Sequence, residues 1–178
     1  MKLKLILTTS SLISGLFFAG NWNVDGPRAK IMFSVKGPFG TVHGSFSGLK
    51  ATIQFDEKDL AGSSITASIE SKSVSTGVGL RNSDLRNKEM WLNSEKYPTF
   101  SFHSKKIQKT ANGFTALGEL TIKSTTKEVG IPFTFTAKDN TGVFKGKFHI
   151  NREDYKVGNK GGSVGDDIML SLEVPVKK

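Results

Sequence analysis

Three histidines, His43, His103 and His149, are the side chains best suited to proton transfer or metal ligation, and their placement argues against both roles. Each falls on the polar parity of an alternating run: His43 is opposite to Phe46, His103 is next to Phe102, and His149 lies between Phe148 and Ile150. Successive side chains of a strand point to opposite faces, so the three imidazoles are expected outside, on separate strands. A metal centre needs several ligands converging on one point. No His-x-His or His-plus-acid cluster occurs, so no metal is expected. The absence of cysteine excludes disulfides, thiolate metal sites, cysteine nucleophiles and a lipoprotein-type anchor. No nucleophile elbow, P-loop or dinucleotide fingerprint is read. Gly158-x-x-Gly161-Gly162 is a loop without a following helix. The chain is expected to be non-enzymatic, with no catalytic residues.

Two arginines remain as polar candidates. Arg81 could hold a phosphate or carbonyl head group, because its planar fork suits oxyanions; a surface arginine, or one paired with Asp84, is the plainer alternative. Arg152 with Asp154 is expected to be a turn-stabilising pair. The formal net charge is +9, and removing Lys2 and Lys4 leaves 9 − 2 = +7. Such a surface suits nucleic acid, an anionic membrane surface or acidic ligands. Export, argued below, removes nucleic acid from consideration, and a solvated basic exterior is the plain reading.

The chemistry that the sequence does favour is apolar. Thirteen phenylalanines and nineteen glycines fit many short strands joined by tight turns. Ile31, Phe33 and Val35 alternate with polar residues up to the Gly37-Pro38-Phe39-Gly40 turn. Val42, Gly44 and Phe46 follow on even positions, and the parity flips near Gly48, so that Leu49, Ala51, Ile53 and Phe55 fall on odd ones. A flip at glycine suggests a bulge or a barrel corner. Further runs hold Ile65, Ala67 and Ile69; Phe100 and Phe102; Phe114 to Ile122; Ile131, Phe133 and Phe135; Phe144 to Ile150; and Ile168 to Val176. Ser124–Glu128 is expected to be a turn, and Asn112-Gly113 is a hairpin signal. This makes about eight strands plus a short piece at Trp22 and Val24. Each run is apolar on one face, which a second sheet or closure into a barrel can bury; parity leaves that choice open.

The apolar faces admit two meanings, a packed core or a bore left open for a lipid tail. Inward glycines at 44, 118 and 146 favour room. In an open bore the lining candidates are Phe33, Val35, Phe46, Ile53, Phe55, Ile69, Phe100, Phe102, Phe114, Leu120, Phe133, Phe135, Phe148 and Leu170. Ser73–Phe102 interrupts the alternation with a helix-compatible block, Leu80–Asn93, stopped at Tyr97-Pro98. A connection this long is expected to cross one end of the sheet and to close or gate an apolar interior.

The first twenty residues have the form of a signal peptide. Lys2 and Lys4 precede a short apolar stretch, Leu5–Phe18, below the ~20 residues that a membrane helix needs. Cleavage is expected after Ala19 or Gly20, which leaves one domain, 21–178, in the periplasm or secreted.

The order of several short motifs resembles the YceI-like family of exported, polyisoprenoid-binding proteins. They are Trp22-Asn23-Val24-Asp25, Ile31-x-Phe33-x-Val35-Lys36, Gly44-x-Phe46, Ile53-x-Phe55-Asp56, Ser73-Val74-x-Thr76-Gly77, Arg81 with Leu85, Tyr97-Pro98-x-Phe100-x-Phe102-x-Ser104, Gly118-x-Leu120-Thr121-Ile122-Lys123, Asn151-Arg152-x-Asp154-Tyr155 and Gly165-Asp166-Asp167. The resemblance implies an all-β, eight-stranded antiparallel lipocalin-like barrel with a short helical crossover at about 77–95. It also implies a long-chain amphiphile in the bore, such as an isoprenoid quinone, a polyprenyl phosphate or a fatty amide. The function it implies is that of an exported lipid carrier. The alternative is an envelope protein that docks an anionic surface or partner through its basic exterior without a lipid; a homodimer is left open. The family pattern Arg-Asp-x-His-Leu is here Arg81-Asn82-Ser83-Asp84-Leu85, without the histidine.

Overall fold

The computed structural model describes residues 20–178, so the expected leader lies outside the described residues apart from Gly20. The strands are β1 (Asn21–Val24), β2 (Lys30–Gly37), β3 (Gly40–Phe46), β4 (Lys50–Gln54), β5 (Ser64–Glu70), β6 (Thr99–Thr110), β7 (Gly113–Ile122), β8 (Thr125–Lys138), β9 (Thr141–Asn151) and β10 (Asp167–Lys177), with one helix, α1 (Gly79–Asn87), between β5 and β6. All pairings are antiparallel. The sheet closes because β10 pairs with β9 on one side and, on the other, with β2 through Ile168–Glu173 and with β1 at Val176 and Lys177. β1 in turn pairs with β4, which completes an eight-membered ring.

The short N-terminal piece is thus part of the wall. β1 and β2 are two halves of one bent stave, broken at Asp25–Ala29, where the Asp25 carboxylate accepts from the Arg28 backbone N–H and from its Nε. β3 and β4 are the two halves of its neighbour. The break falls at Gly48, whose φ of +74° is open to glycine and strained for other residues. The parity flip in the sequence marks this corner.

A second corner has no such mark. Between Ser104 and Lys106 the register of β6 against β7 shifts, so Phe100, Phe102 and Ser104 face inward on even positions and Ile107 on an odd one. Ser104 turns its hydroxyl to accept from the Ile65 backbone N–H at 2.8 Å. Gly118 lies opposite, where a β-carbon would collide with the His103 carbonyl. Ser124–Glu128 is not a turn. Only Lys123 and Ser124 turn, and β8 begins at Thr125, with Thr126 opposite Thr121 and Lys127 opposite Leu120. Strand pairing here uses the backbone, to which side-chain polarity is indifferent.

One end of the barrel is filled. Phe55 presents edges to Phe114, Phe133, Phe135 and Phe144 at ring-centroid distances of 5.1, 5.5, 5.2 and 5.4 Å, the geometry that aromatic quadrupoles favour. Trp22 seals this end, donating its indole N–H to the Phe55 carbonyl at 3.1 Å and meeting Phe135 edge-on. The crossover lies over the other end. Its helix is shorter than the expected Leu80–Asn93 block: it stops at Asn87, and turns follow up to Tyr97, with Asn93 at φ 45°. Val74 and Leu92 are buried against Phe100, with Phe33, Phe46, Ile69 and Leu85 around them.

Candidate functional site

Between the aromatic plug and the crossover the barrel is hollow. A cavity of about 920 Å³ runs beneath α1, at the upper end of the range for small-molecule sites. All the expected lining residues border it except Phe55, Phe114 and Phe135. Those three belong to the plug, which fills the end where parity left a packed core and an open bore as alternatives. Arg81 also borders the cavity.

The three inward glycines do not make this room. The Phe33 ring lies where a Gly44 side chain would be; Gly118 is covered by the β6 bulge; and a β-carbon at Gly146 would stand 2.9 Å from the Pro132 carbonyl. Space comes instead from small side chains on the wall. Ala51 and Ala67 are directly paired between β4 and β5, Ala67 also faces Phe102 across the next pairing, and both alanines border the void. Trp91, Leu92, Val157 and Val164 complete the lining. They come from irregular segments, where alternation gives no signal.

The cavity reaches solvent at one side of the covered end. The β2–β3 hairpin tip, Gly37–His43, faces Thr76, Arg81, Asp84 and Leu85 of the crossover across it, and Phe39, Thr41, His43 and Arg81 are exposed. The outer edge of β3 meets the crossover near Phe46, through the Ser45–Ser75 bridge and the Ser47 backbone N–H, which donates to the Ser73 hydroxyl at 3.1 Å; no strand pairs with that edge among the described residues, so the wall is incomplete towards Gly40. The helix is held beside the gap by its own residues. Asn82 accepts from the Thr76 backbone N–H and hydroxyl at 2.8 and 2.7 Å, and Arg86 donates to the Val74 carbonyl at 2.7 Å.

At this mouth Asp84 pairs with Lys88 at 2.8 Å and not with Arg81, which has no carboxylate partner among the described residues. Arg152 is not paired with Asp154 either. Its guanidinium is 2% exposed and bonds the Asp166 carboxylate at 2.6 Å, while Asp154 faces Lys127 at 3.8 Å. The four-residue spacing of Asp84 and Lys88 on a helix, and the long loop that brings Asp166 back, explain both changes. His43, His103 and His149 are all exposed; His103 Nδ1 meets the Thr66 hydroxyl at 3.0 Å and His149 Nδ1 the Asp167 carboxylate at 2.8 Å. Among the described residues no three His, Asp or Glu side chains converge. Gly161-Gly162-Ser163-Val164-Gly165 does spell the Gly-x-Ser-x-Gly pattern, but Ser163 is exposed in a loop leading to a strand, without the strand-to-helix turn that activates such a serine.

The YceI-like domain model matches residues 22–176. The chain belongs to the YceI-like family. A UPF0312 protein of Yersinia enterocolitica is 30% identical, over 97% of this chain and 95% of the relative. The crystal structure of Burkholderia cenocepacia BcnA superposes with a TM-score of 0.80 at 26% identity, covering 86% of this chain and 99% of that one. A polyisoprenoid binding domain from Saccharophagus degradans shares the fold at a TM-score of 0.64 and 11% identity, over 90% of this chain and 98% of that one. In this YceI-like barrel the helix that borders the mouth carries Asn82 and Asp84, and both are engaged in local bonds.

One buried polar group beside the cavity has no partner among the described residues. It is the Tyr155 hydroxyl; burial, with the Asp154 charge second, pushes the phenol from 10.0 up to about 12. The unfolded chain sheds this proton near pH 10 and the folded chain near pH 12, so stability falls as pH rises through that window. Thermal melts of the wild type and Tyr155→Phe are expected to diverge between pH 10 and 12, with the wild type losing more. At neutral pH the variant is expected to lose nothing, since no bond is broken. Parallel pH curves would refute this account.

Proposed function

We propose that this protein is an exported, non-enzymatic carrier that holds a long-chain isoprenoid or similar amphiphile with its tail in the barrel. One observation carries the reading: an apolar void of about 920 Å³ that is plugged at one end and reaches solvent at the other. A tail gains roughly 0.8 kcal/mol per buried methylene, so ten methylenes contribute on the order of 8 kcal/mol before ordering costs. Useful affinity needs no specific polar contact. Isoprenoid quinones, polyprenyl phosphates and fatty amides all have this shape, one polar end and one long apolar end. The name of the Saccharophagus degradans domain points to the same ligand class. Arg81, exposed at the mouth and without a carboxylate partner among the described residues, is the residue we propose to meet a phosphate or carbonyl head. The leader at residues 1–20 supports a periplasmic or secreted location, where moving a water-insoluble lipid calls for a carrier.

Organic extraction of the purified native protein, followed by mass spectrometry, tests the reading. A stoichiometric long-chain amphiphile is expected. An extract free of amphiphile, from protein whose barrel is intact by circular dichroism, would overturn it.

A further inference from the structure

We infer that the rim of the cavity mouth is a docking surface for an anionic phospholipid bilayer, through which the ligand enters and leaves. The inference rests on the carrier reading and goes beyond it by naming the surface and its partner. The described residues expose five large apolar side chains: Met32, Phe39, Val78, Leu80 and Met90. Three of them cluster at the mouth. Phe39, 102% exposed, tips the β2–β3 hairpin and borders the cavity; Leu80, 77% exposed, stands on the first turn of α1 beside Arg81, and Val78 precedes it.

Nothing in the fold requires these side chains to be apolar. Phe39 occupies a turn between Pro38 and Gly40, and Leu80 lies on a helix with no buried residue. An apolar side chain placed fully in water beside a lipid-sized void fits insertion into the acyl boundary of a membrane. A long hydrocarbon tail crosses water poorly, so a mouth that meets the bilayer gives the tail an apolar path.

The charges at the same rim select the kind of bilayer. Three segments surround the mouth: the hairpin tip, α1 and the loop at residues 156–166. Their two carboxylates are neutralised from within, Asp84 by Lys88 at 2.8 Å and Asp166 by Arg152 at 2.6 Å. Lys36, Arg81, Lys156 and Lys160 are exposed and take no part in the ion pairs of the described residues. The rim therefore presents apolar tips within unpaired positive charge, which complements a surface rich in anionic lipid. Among the described residues no helix is long and apolar enough to cross a membrane; the contact is peripheral.

Vesicle flotation tests this with the chain from Asn21 onward, whose strands close the barrel among themselves and which lacks the leader that would itself bind lipid. Vesicles of phosphatidylglycerol and phosphatidylcholine in equal parts are compared with phosphatidylcholine alone. The protein is expected to float with the anionic vesicles, severalfold less at high salt, and not with the neutral ones. Phe39→Ser with Leu80→Ser is expected to weaken vesicle affinity on the order of a hundredfold with an unchanged melting temperature, since both side chains are exposed. Lys36→Glu with Lys160→Glu is expected to abolish the preference for the anionic vesicles.

Failure to float, or flotation unaffected by the serine variant, overturns the inference. So does equal binding to both vesicle types. Concentration-dependent self-association that the serine variant abolishes, without vesicle binding, overturns it in favour of a second copy of this chain on the rim. The two readings fail separately. Lipid in the organic extract without flotation sinks the docking surface alone, whereas flotation with an empty extract sinks the carrier and leaves the surface.

Discussion

Arg152→Met is expected to destabilise the barrel by about 3 kcal/mol and to release the loop at residues 156–166. The guanidinium is 2% exposed and all its nitrogens are engaged. Nε donates to the Gly165 carbonyl at 3.0 Å and Nη1 to the Val157 carbonyl at 2.8 Å; Nη2 donates to the carbonyls of Asn159 and Val164 at 3.1 and 2.9 Å and to the Asp166 carboxylate at 2.6 Å. The loop has no regular structure of its own, so one side chain supplies the order that a ladder supplies elsewhere. Methionine keeps the apolar stem and leaves four carbonyls without donors. The freed loop can turn some of them to water, and Asp166 is half-exposed, which keeps the cost at the lower end for a broken buried pair. For a chain of this size the melting temperature should fall by roughly 6–12 °C.

Two contrasts identify the cause. Arg152→Lys is expected to recover little, because a single ammonium cannot span five acceptors arranged for a planar fork. Asp154→Asn is expected to be nearly silent, since its contact with Lys127 is long and exposed. Limited trypsin digestion supplies a second readout: cleavage after Lys156 or Lys160 is expected in Arg152→Met and not in the wild type. A melting temperature within about 2 °C of the wild type, with the loop still resistant, would show that the loop is held by something other than Arg152.

The arginine also marks the limit of what the sequence could reveal. Asp154 is two residues away and invited a local pairing; the true partner, Asp166, comes back across a loop whose path no periodicity encodes. The alternating runs behave differently. A strand that must bury one face writes its parity into every second residue, so the inward set was legible down to the flip at Gly48. The bulge at Ser104 was not, because Ser104 is polar and yet buried, held by one backbone N–H from Ile65. Parity also cannot tell a filled interior from a hollow one. Phe55, Phe114 and Phe135 share the pattern of Phe33, Phe46 and Phe100, yet the first three meet across the axis as a plug and the second three border the void. Glycine was a poor guide to free volume for a related reason. In a tightly coiled sheet an inward glycine more often admits a neighbouring ring or carbonyl, as at Gly44 and Gly118, than leaves a space. The alanine pair that does make room, Ala51 and Ala67, carries no signal in one chain.

That pair gives the sharpest test of where the lipid lies. Ala67→Trp is expected to empty the protein of its amphiphile while leaving the barrel folded. Ala67 faces Ala51 on one side and Phe102 on the other and borders a void of about 920 Å³, so an indole can enter without displacing a neighbour. A tail forced to withdraw about four methylenes loses roughly 3 kcal/mol, a weakening on the order of a hundredfold. The melting temperature should hold or rise, because the indole is buried among apolar side chains. Val176→Trp is the contrast. Val176 is 3% exposed, belongs to the packed cluster with Phe114 and Phe133 and does not border the void, so the same indole has no room there and should cost about 1–3 kcal/mol through overpacking. If Ala67→Trp co-purifies with lipid at wild-type stoichiometry, the tail does not occupy this part of the barrel. If both variants unfold alike, the interior at Ala67 is as tightly packed in solution as it is at Val176, and a hollow barrel is the wrong description.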